Sequence, residues 1–350
     1  MRTSELDYEL PNELIAKRPP HERDGGRLLV IGSNAVEHLA IRDWPELVEP
    51  GSLVVLNESR VIKARLLGRR AGSGGRVEIL LLRAMGAGAG EQAQIWEAMG
   101  RANRPLRVGT VVEVGSLRVT VVQRGDEGTL VVKLSAPHSI AQTLDQVGRV
   151  PIPPYLRRED DAQDADRYQT VYACEPGSVA APTAGLHLTE SLLTRLVKRG
   201  VRIERLCLHV GMGTFRQVVA DDLNDHPMHP ETFSVTARLA SAISATRQVG
   251  APVVAVGTTV VRALESAACP ERPGEVRPCT TQTRLLIQPG HEFRVVDSLL
   301  TNFHQPRSTL LALVGAFAGM SRIREAYRVA VRARYRFLSY GDAMWIPRRA

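Results

Sequence analysis

An α/β main domain built from both chain ends, with a small β-barrel inserted between them, is the fold this 350-residue sequence predicts. Between about residues 65 and 148, short β-rich runs succeed one another across Gly-containing turns, the pattern of a small barrel or sandwich. From about Gly148 onward helices alternate with strands, the pattern of a layered α/β domain. Apolar strand candidates also precede residue 65, so both ends of the chain are assigned to one domain. The predicted division is 1–64 with 149–350 for the α/β domain and 65–148 for the inserted β-barrel domain.

The elements follow in order. Residues 12–17 carry a short helical signal, and 28–31 and 53–56 are apolar strands. In the insertion, strands are expected at 77–82, 95–99, 110–114, 117–122 and 129–134, with no helix among them. The Gly- and Ala-rich stretch 84–90 reads as a hairpin loop. Residues 189–199 form an amphipathic helix: Leu192, Leu193, Leu196 and Val197 share a face, and Gly200 ends it. Its Glu190 lies in the first turn and its Lys198 and Arg199 in the last, complementing the dipole. A strand at 201–210, a helix at 236–249 stopped by Gly250, and a strand at 252–256 repeat the unit. Helices at 310–319 and 323–335 close the chain.

Hydrophobic residues make up 44% of the chain, enough for a packed core, whereas aromatics at 5% leave little for base-stacking platforms. The net charge of +8 is concentrated: residues 61–110 hold nine Lys or Arg against three Glu, and 321–350 hold eight Arg against two acids. Two distant basic stretches suit a partner that spans much of the surface, such as RNA. An Arg-rich composition, 41 Arg to 4 Lys, would equally produce them, so charge alone does not decide. Cys174, Cys207, Cys269 and Cys279 form no C-x-x-C pair, the usage of a reduced, cytoplasmic protein. No signal-like apolar stretch opens the sequence, and the longest apolar run, 310–320, is too short to cross a bilayer.

Several stretches have chemical potential. In 253–262 an apolar strand ends in Gly257-Thr258-Thr259 and a helix begins at once; such a corner can bind a carboxylate or phosphate, or merely be capped by a Thr. The run 177–187, GSVAAPTAGLH, consists of small residues that would let a flat ligand such as adenosine approach the backbone. Gly211 and Gly213 follow a strand, but a lone G-x-G is weak evidence for a dinucleotide site. His226, His229 and Glu231 lie close together; interrupted by prolines, they fit no zinc motif, and no metal is expected. Acid–base work by His229 or Glu231, or a plain surface loop, are the alternatives. Asn302 and His304 belong to 301–309, placed at the mouth of the layer that bears the Gly-Thr-Thr corner, with Ser308 or Thr309 as the next helix cap. The stretch 335–344 mixes aromatics with Arg; it could face RNA or ligand, with Phe337 and Met344 in the core.

Together these stretches resemble one family, the S-adenosylmethionine:tRNA ribosyltransferase-isomerases of queuosine biosynthesis. The matching text is YELP (8–11), RLLV (27–30), RVIKARL (60–66), GRVPIPPY (148–155), YQTVYA (168–173) and GSVAAPTAGLH (177–187). It continues with LHVGMGTF (208–215), MHPE (228–231), VGTTVVRALES (256–266), TNFHQPRSTLL (301–311) and YRFLSYGDAM (335–344), so the resemblance runs from residue 7 to about 346. Gly26, Glu58-Ser59, Gln217 and Pro230 depart from the residues usual in that family, Ser, Asp-Thr, Pro and Ser respectively.

The resemblance implies an enzyme that acts on 7-aminomethyl-7-deazaguanine at the wobble position of tRNA with a GUN anticodon. It would transfer and isomerise the ribosyl moiety of S-adenosylmethionine, a co-substrate, forming epoxyqueuosine and releasing adenine and methionine. It also implies the α/β domain with inserted barrel. Onto that chemistry we place His187 and His209 as first candidates for proton transfer, then His229, Glu231 and His304. The co-substrate would lie against Ser178, Ala181, Thr183, Gly211, Gly213, Gly257, Thr258, Thr259 and Asn302. RNA phosphates would meet Arg65, Arg69, Arg70, Arg101 and Arg104 of the insertion and Arg332, Arg334 and Arg336 near the chain end. A monomer without membrane attachment is expected. The rival readings are an S-adenosylmethionine-dependent RNA methyltransferase, which needs a Gly-rich loop after its first strand, and a non-catalytic RNA-binding protein.

Overall fold

The computed structural model describes residues 1–32, 35–85, 91–125, 128–211, 213 and 217–347. The first part of the chain forms β1 (Arg27–Ile31), β2 (Val36–Ala40), α1 (Trp44–Leu47), β3 (Leu53–Asn57) and β4 (Ser59–Val61). The insertion follows as β5 (Arg65–Arg70), β6 (Arg76–Ala84), β7 (Ala93–Ala102), β8 (Val111–Val114), β9 (Leu117–Arg124), β10 (Leu130–Ser135) and α2 (Ile140–Val147). The remainder contributes α3 (Ala162–Arg167), β11 (Glu175–Ser178), α4 (Glu190–Lys198), β12 (Arg202–Leu208), β13 (Glu231–Val235), α5 (Ala237–Gln248) and β14 (Val253–Val256). It ends with α6 (Thr258–Ala267), β15 (Cys279–Thr283), β16 (Ser298–Asn302), α7 (Thr309–Ala318), α8 (Met320–Arg332) and β17 (Ala343–Ile346).

One nine-stranded sheet, ordered β15-β13-β12-β3-β14-β16-β17-β1-β2, takes strands from both chain ends. Its centre is parallel: β12, β3, β14 and β16 run together, and β3 is buried along its whole length. This is the continuous apolar texture expected of a strand covered on both faces. Strand β17 enters antiparallel to β16 and pairs in parallel with β1, which ties the first strand of the chain to the last.

Strands β10-β7-β6-β5-β8-β9 close into a barrel. Its strands alternate, so Val77, Ile79 and Leu81 of β6 point into a dry core with Val119, Val121 and Val132, while Arg76 and Glu78 face out. The chain leaves for the barrel and returns at one place, where Arg65 and Arg149 exchange backbone hydrogen bonds of 3.2 and 2.8 Å. Parallel pairing of β4 with β11 lies beside this neck, and Val179 from the α/β side packs into the barrel cluster.

Several local readings need correction. The helical signal at 12–17 is a single 3-10 turn, Asn12–Leu14, after which Ile15 bridges to Phe337. Strand β2 was missed because it buries neither face, showing no alternation to read. The insertion contains α2, capped by Ser139, whose Ile140 and Leu144 pack into the barrel's core. The last helix ends at Arg332, because Arg334 takes φ 53° and releases Tyr335 into the core. The loop read at 84–90 lies largely outside the described residues. Among the described helices none is long and apolar enough to cross a membrane.

Candidate active site

Ligand sites of open α/β sheets form beyond the carboxyl ends of parallel strands, and four such ends converge here. Asn57 closes β3, and its side chain knits the edge together. Its Oδ1 accepts from Leu208 N–H at 3.0 Å, and its Nδ2 donates to Leu208 O at 3.0 Å and Thr259 Oγ1 at 3.4 Å. Strand β14 passes into α6 through Gly257 at φ 94°, a conformation that favours glycine. That residue, not a threonine, is the N-cap, and no side chain caps the helix; Thr258 and Thr259 lie within its first turn. The capping alternative therefore falls, and the helix presents open N–H groups and its positive dipole end.

Next to this corner is a narrow cavity of about 30 Å3 whose lining joins Thr183, Asn302, His304, Tyr155, Ser308 and Ser339 to the apolar Phe303, Leu310 and Leu338. Asn302 is 2% exposed. Its Nδ2 donates to His187 Nε2 at 3.1 Å and to Leu338 O at 3.3 Å, while its Oδ1 is buried with no partner among the described residues. An unpaired buried acceptor is costly, which sets this atom apart from the paired polar groups around it. Burial, reinforced by Arg336 and Arg23, pushes His187 down to about 4, and burial pushes His304 down to about 3. His304 Nε2 lies 2.9 Å from Thr301 Oγ1, and its backbone is clamped by Tyr8 and Tyr327.

A larger cleft of about 750 Å3 opens between the two domains. The sheet side supplies Gly177, His209, Gly211 and Glu231; the barrel side supplies Arg83, Glu91, Gln94 and Trp96. His209 is half-buried, and desolvation lowers its pKa below the ordinary imidazole value. Its ring lies against the backbone of Gly177, where a Cβ would stand 2.7 Å from the imidazole and φ is 144°. Glu231 is 6% exposed and forms a buried ion pair with Arg262, while its Oε1 accepts from Gly211 N–H at 3.1 Å.

The expected site residues therefore divide. Thr183, Asn302 and His304 share the narrow cavity, with His187 behind them, and Gly257 lies close to Ala184, to whose Cβ a Cβ added at 257 would come within 3.4 Å. His209, Gly211 and Glu231 share the interdomain cleft. Ser178 is not available to a ligand: its hydroxyl donates to Ser59 and accepts from Val210 N–H. Ala181 packs in an apolar cluster with Tyr168, Leu186 and Tyr340. Glu231 is neither a surface carboxylate nor an unpaired base, since Arg262 neutralises it. His229 is exposed, its ring beside Gly213; Met212, Thr214 and Phe215 of that motif lie outside the described residues.

Of the arginines, Arg65 is held in ion pairs with Glu78 and Glu159. Arg70 hydrogen-bonds the carbonyls of Arg104 and Pro105, and Arg336 reaches Arg18 O. Arg69, Arg101, Arg104, Arg332 and Arg334 are exposed. Reading the sequence missed Asn57, Arg262 and the barrel residues of the cleft. Arg262 had a signal, standing one helical turn after Thr258 on a buried face. Those of the barrel had none, because pairing across domains leaves no local pattern.

A parallel core with pockets at its carboxyl edge, one of them roofed by an inserted barrel, defines a two-part α/β enzyme. The chain belongs to the queuosine biosynthesis protein family, whose model matches residues 3–346. An S-adenosylmethionine:tRNA ribosyltransferase-isomerase of Sorangium cellulosum (strain So ce56) is 54% identical, covering 99% of this chain and 98% of that protein. Another from Anaeromyxobacter dehalogenans (strain 2CP-C) is 50% identical over the whole of both. The crystal structure of S-adenosylmethionine tRNA ribosyltransferase from Thermotoga maritima, 36% identical, matches with a TM-score of 0.54 over 98% of this chain and 99% of that one. The methyltransferase alternative fails on topology: β1 turns back as a hairpin into β2 instead of passing through a Gly-rich loop into a helix.

Proposed function

We propose that this protein is a cytoplasmic, monomeric enzyme that needs no metal and modifies tRNA bearing a GUN anticodon. It transfers and isomerises the ribosyl moiety of S-adenosylmethionine onto 7-aminomethyl-7-deazaguanine at the wobble position, giving epoxyqueuosine, adenine and methionine. Family membership and relatives named for this activity across the whole chain support the reading. The observation on which the geometry rests is the buried, unpaired Oδ1 of Asn302 beside the uncapped end of α6.

In this reading each pocket performs one part of the chemistry. The first turn of α6 receives the methionine carboxylate. Asn302 Oδ1 accepts from an N–H of the co-substrate, only one polar end of which fits the narrow cavity. A base must remove a proton from the ribose carbon made acidic by the sulfonium, and the adenine leaves more readily when protonated. His209, neutral near pH 7 and facing open space, is suited to take that proton. His187, tied through Nε2 to Asn302, acts as a positioning residue, and His304 lines the cavity where a departing base would be met. Arg69, Arg101, Arg104, Arg332 and Arg334 contact RNA phosphates. The test is adenine release from S-adenosylmethionine with RNA carrying the aminomethyl base. Release that depends on both substrates is expected, and its absence from folded protein defeats the reading.

A further inference from the structure

The barrel wall of the interdomain cleft is left unused by the reaction as assigned so far, yet it bears groups whose hydrogen-bonding capacity is not exhausted. Gln94, which lines the cleft, accepts at Oε1 from Trp96 Nε1 at 2.9 Å, a bond that does not use its Nε2 donors. Arg83 is held by Glu97 at 3.1 Å, and this fixes the guanidinium without using all five of its N–H groups. Glu91 is an exposed carboxylate at the same wall. The α/β side of the same cleft contributes His209, Pro176 and Pro230. Donors and a carboxylate from the barrel, with apolar rings and an imidazole from the α/β side, form a set that matches a planar base with both kinds of edge group.

We propose that this cleft seats the acceptor nucleobase. A guanine-like base, extruded from the anticodon loop, directs its carbonyl to Gln94 and Arg83 and its ring N–H and amino group to Glu91. Its primary amine then extends toward His209. The proposal rests on the function proposed above and assigns the site of its second substrate. About 750 Å3 is ample for one extruded nucleotide, and extrusion costs little where the base is already in a loop. Carboxylate and amide pairing to a base edge is the usual means of telling one base from another. Gly177 and Gly211 leave the sheet side low enough for the amine to approach the imidazole. As a base-recognition wall, the barrel would do more than hold RNA by its phosphates.

The test uses the full chain and anticodon stem-loops carrying either the aminomethyl base or plain guanine at the wobble position. Three tryptophans are present, and Trp44 and Trp345 pack edge-to-face in the α/β core, 0% and 3% exposed. Trp96 is therefore the reporter at the cleft. Binding of the aminomethyl stem-loop should change tryptophan fluorescence, and Trp96→Phe should remove the change. Glu91→Gln and Gln94→Ala, both at the edge of the cleft, should raise the KM for the stem-loop roughly tenfold and reduce the preference over plain guanine. The KM for S-adenosylmethionine should be unaltered. Adenine release by both variants with wild-type KM for RNA would overturn the site while the reaction stood. A fluorescence change with no adenine release by the wild type would defeat the reaction and leave the site.

Discussion

Asn302 donates its side-chain amide to His187 Nε2 at 3.1 Å, which makes Nε2 the acceptor and leaves the proton of that buried imidazole on Nδ1, while the amide oxygen stays buried with no partner among the described residues. A pair of this kind orients an acceptor without itself exchanging protons.

Replacing Asn302 by Asp should put an acceptor opposite Nε2, raise the pKa of His187 and misdirect the ligand-facing oxygen. Adenine release should fall by about a hundredfold or more, and the imidazole should titrate upward in an NMR pH series. An unshifted titration would mean that the ring does not sense this neighbour.

Both buried imidazoles in this region bear on acid stability. His187 is held down to about 4 and His304 to about 3, against 6.5 for an ordinary imidazole. Below pH 6.5 the unfolded chain takes up protons that the native state refuses, so native stability decreases as pH falls. At pH 5 the loss should be roughly 2 kcal/mol for each ring relative to pH 8. Denaturant titrations at the two pH values measure it, and His187→Asn should lessen the difference.

The Arg262–Glu231 pair is buried on both sides, at 7% and 6% side-chain exposure. Arg262→Ala strands a carboxylate in the interior and should cost about 3–5 kcal/mol. Removing both charges as Arg262→Met with Glu231→Leu should cost less than the single change, although Gly211 N–H loses its acceptor. Equal losses in a double-mutant cycle would show that the ion pair is not the reason.

At Gly177, alanine would combine an unfavourable φ with a Cβ 2.7 Å from His209. Gly177→Ala should destabilise by about 1–3 kcal/mol and lower turnover by displacing the imidazole. Wild-type kcat in this variant would show that the ring position is unimportant.

RNA affinity should weaken with salt, since phosphate contacts release counterions. Each of Arg332→Ala and Arg334→Ala should reduce the slope of log K against log salt by about 0.7 if its phosphate partner is single-stranded. Filter binding at several salt concentrations reads this directly, and identical slopes would remove those residues from the interface.

The fold class, an α/β sheet with an inserted barrel, was legible because its signals are local. Alternation marked most barrel strands, and the helices read from 189 and 236 and the one expected after a Ser308 or Thr309 cap begin where the structure has them, with Thr189, Thr236 and Ser308 as their caps. Asn302 and His304 were likewise readable beside a strand end. What escaped depends on tertiary partners. Glu231 looks like a loop carboxylate until Arg262, 31 positions later, is seen to bury it. Ser178 looks like a ligand donor until Ser59 and Val210 take its hydroxyl. Strand β2, with no fully buried residue on either face, leaves no period in the sequence.

Placing β17 between β16 and β1 has a consequence for biosynthesis. The barrel is made of neighbours along the chain and can assemble while translation continues, whereas the large sheet stays split into a six-stranded piece and the β1–β2 hairpin until residues 343–346 emerge from the ribosome. Loss of those few residues would leave the first hairpin without its seam to the rest, so the nascent protein depends on its final strand as an arch depends on its keystone.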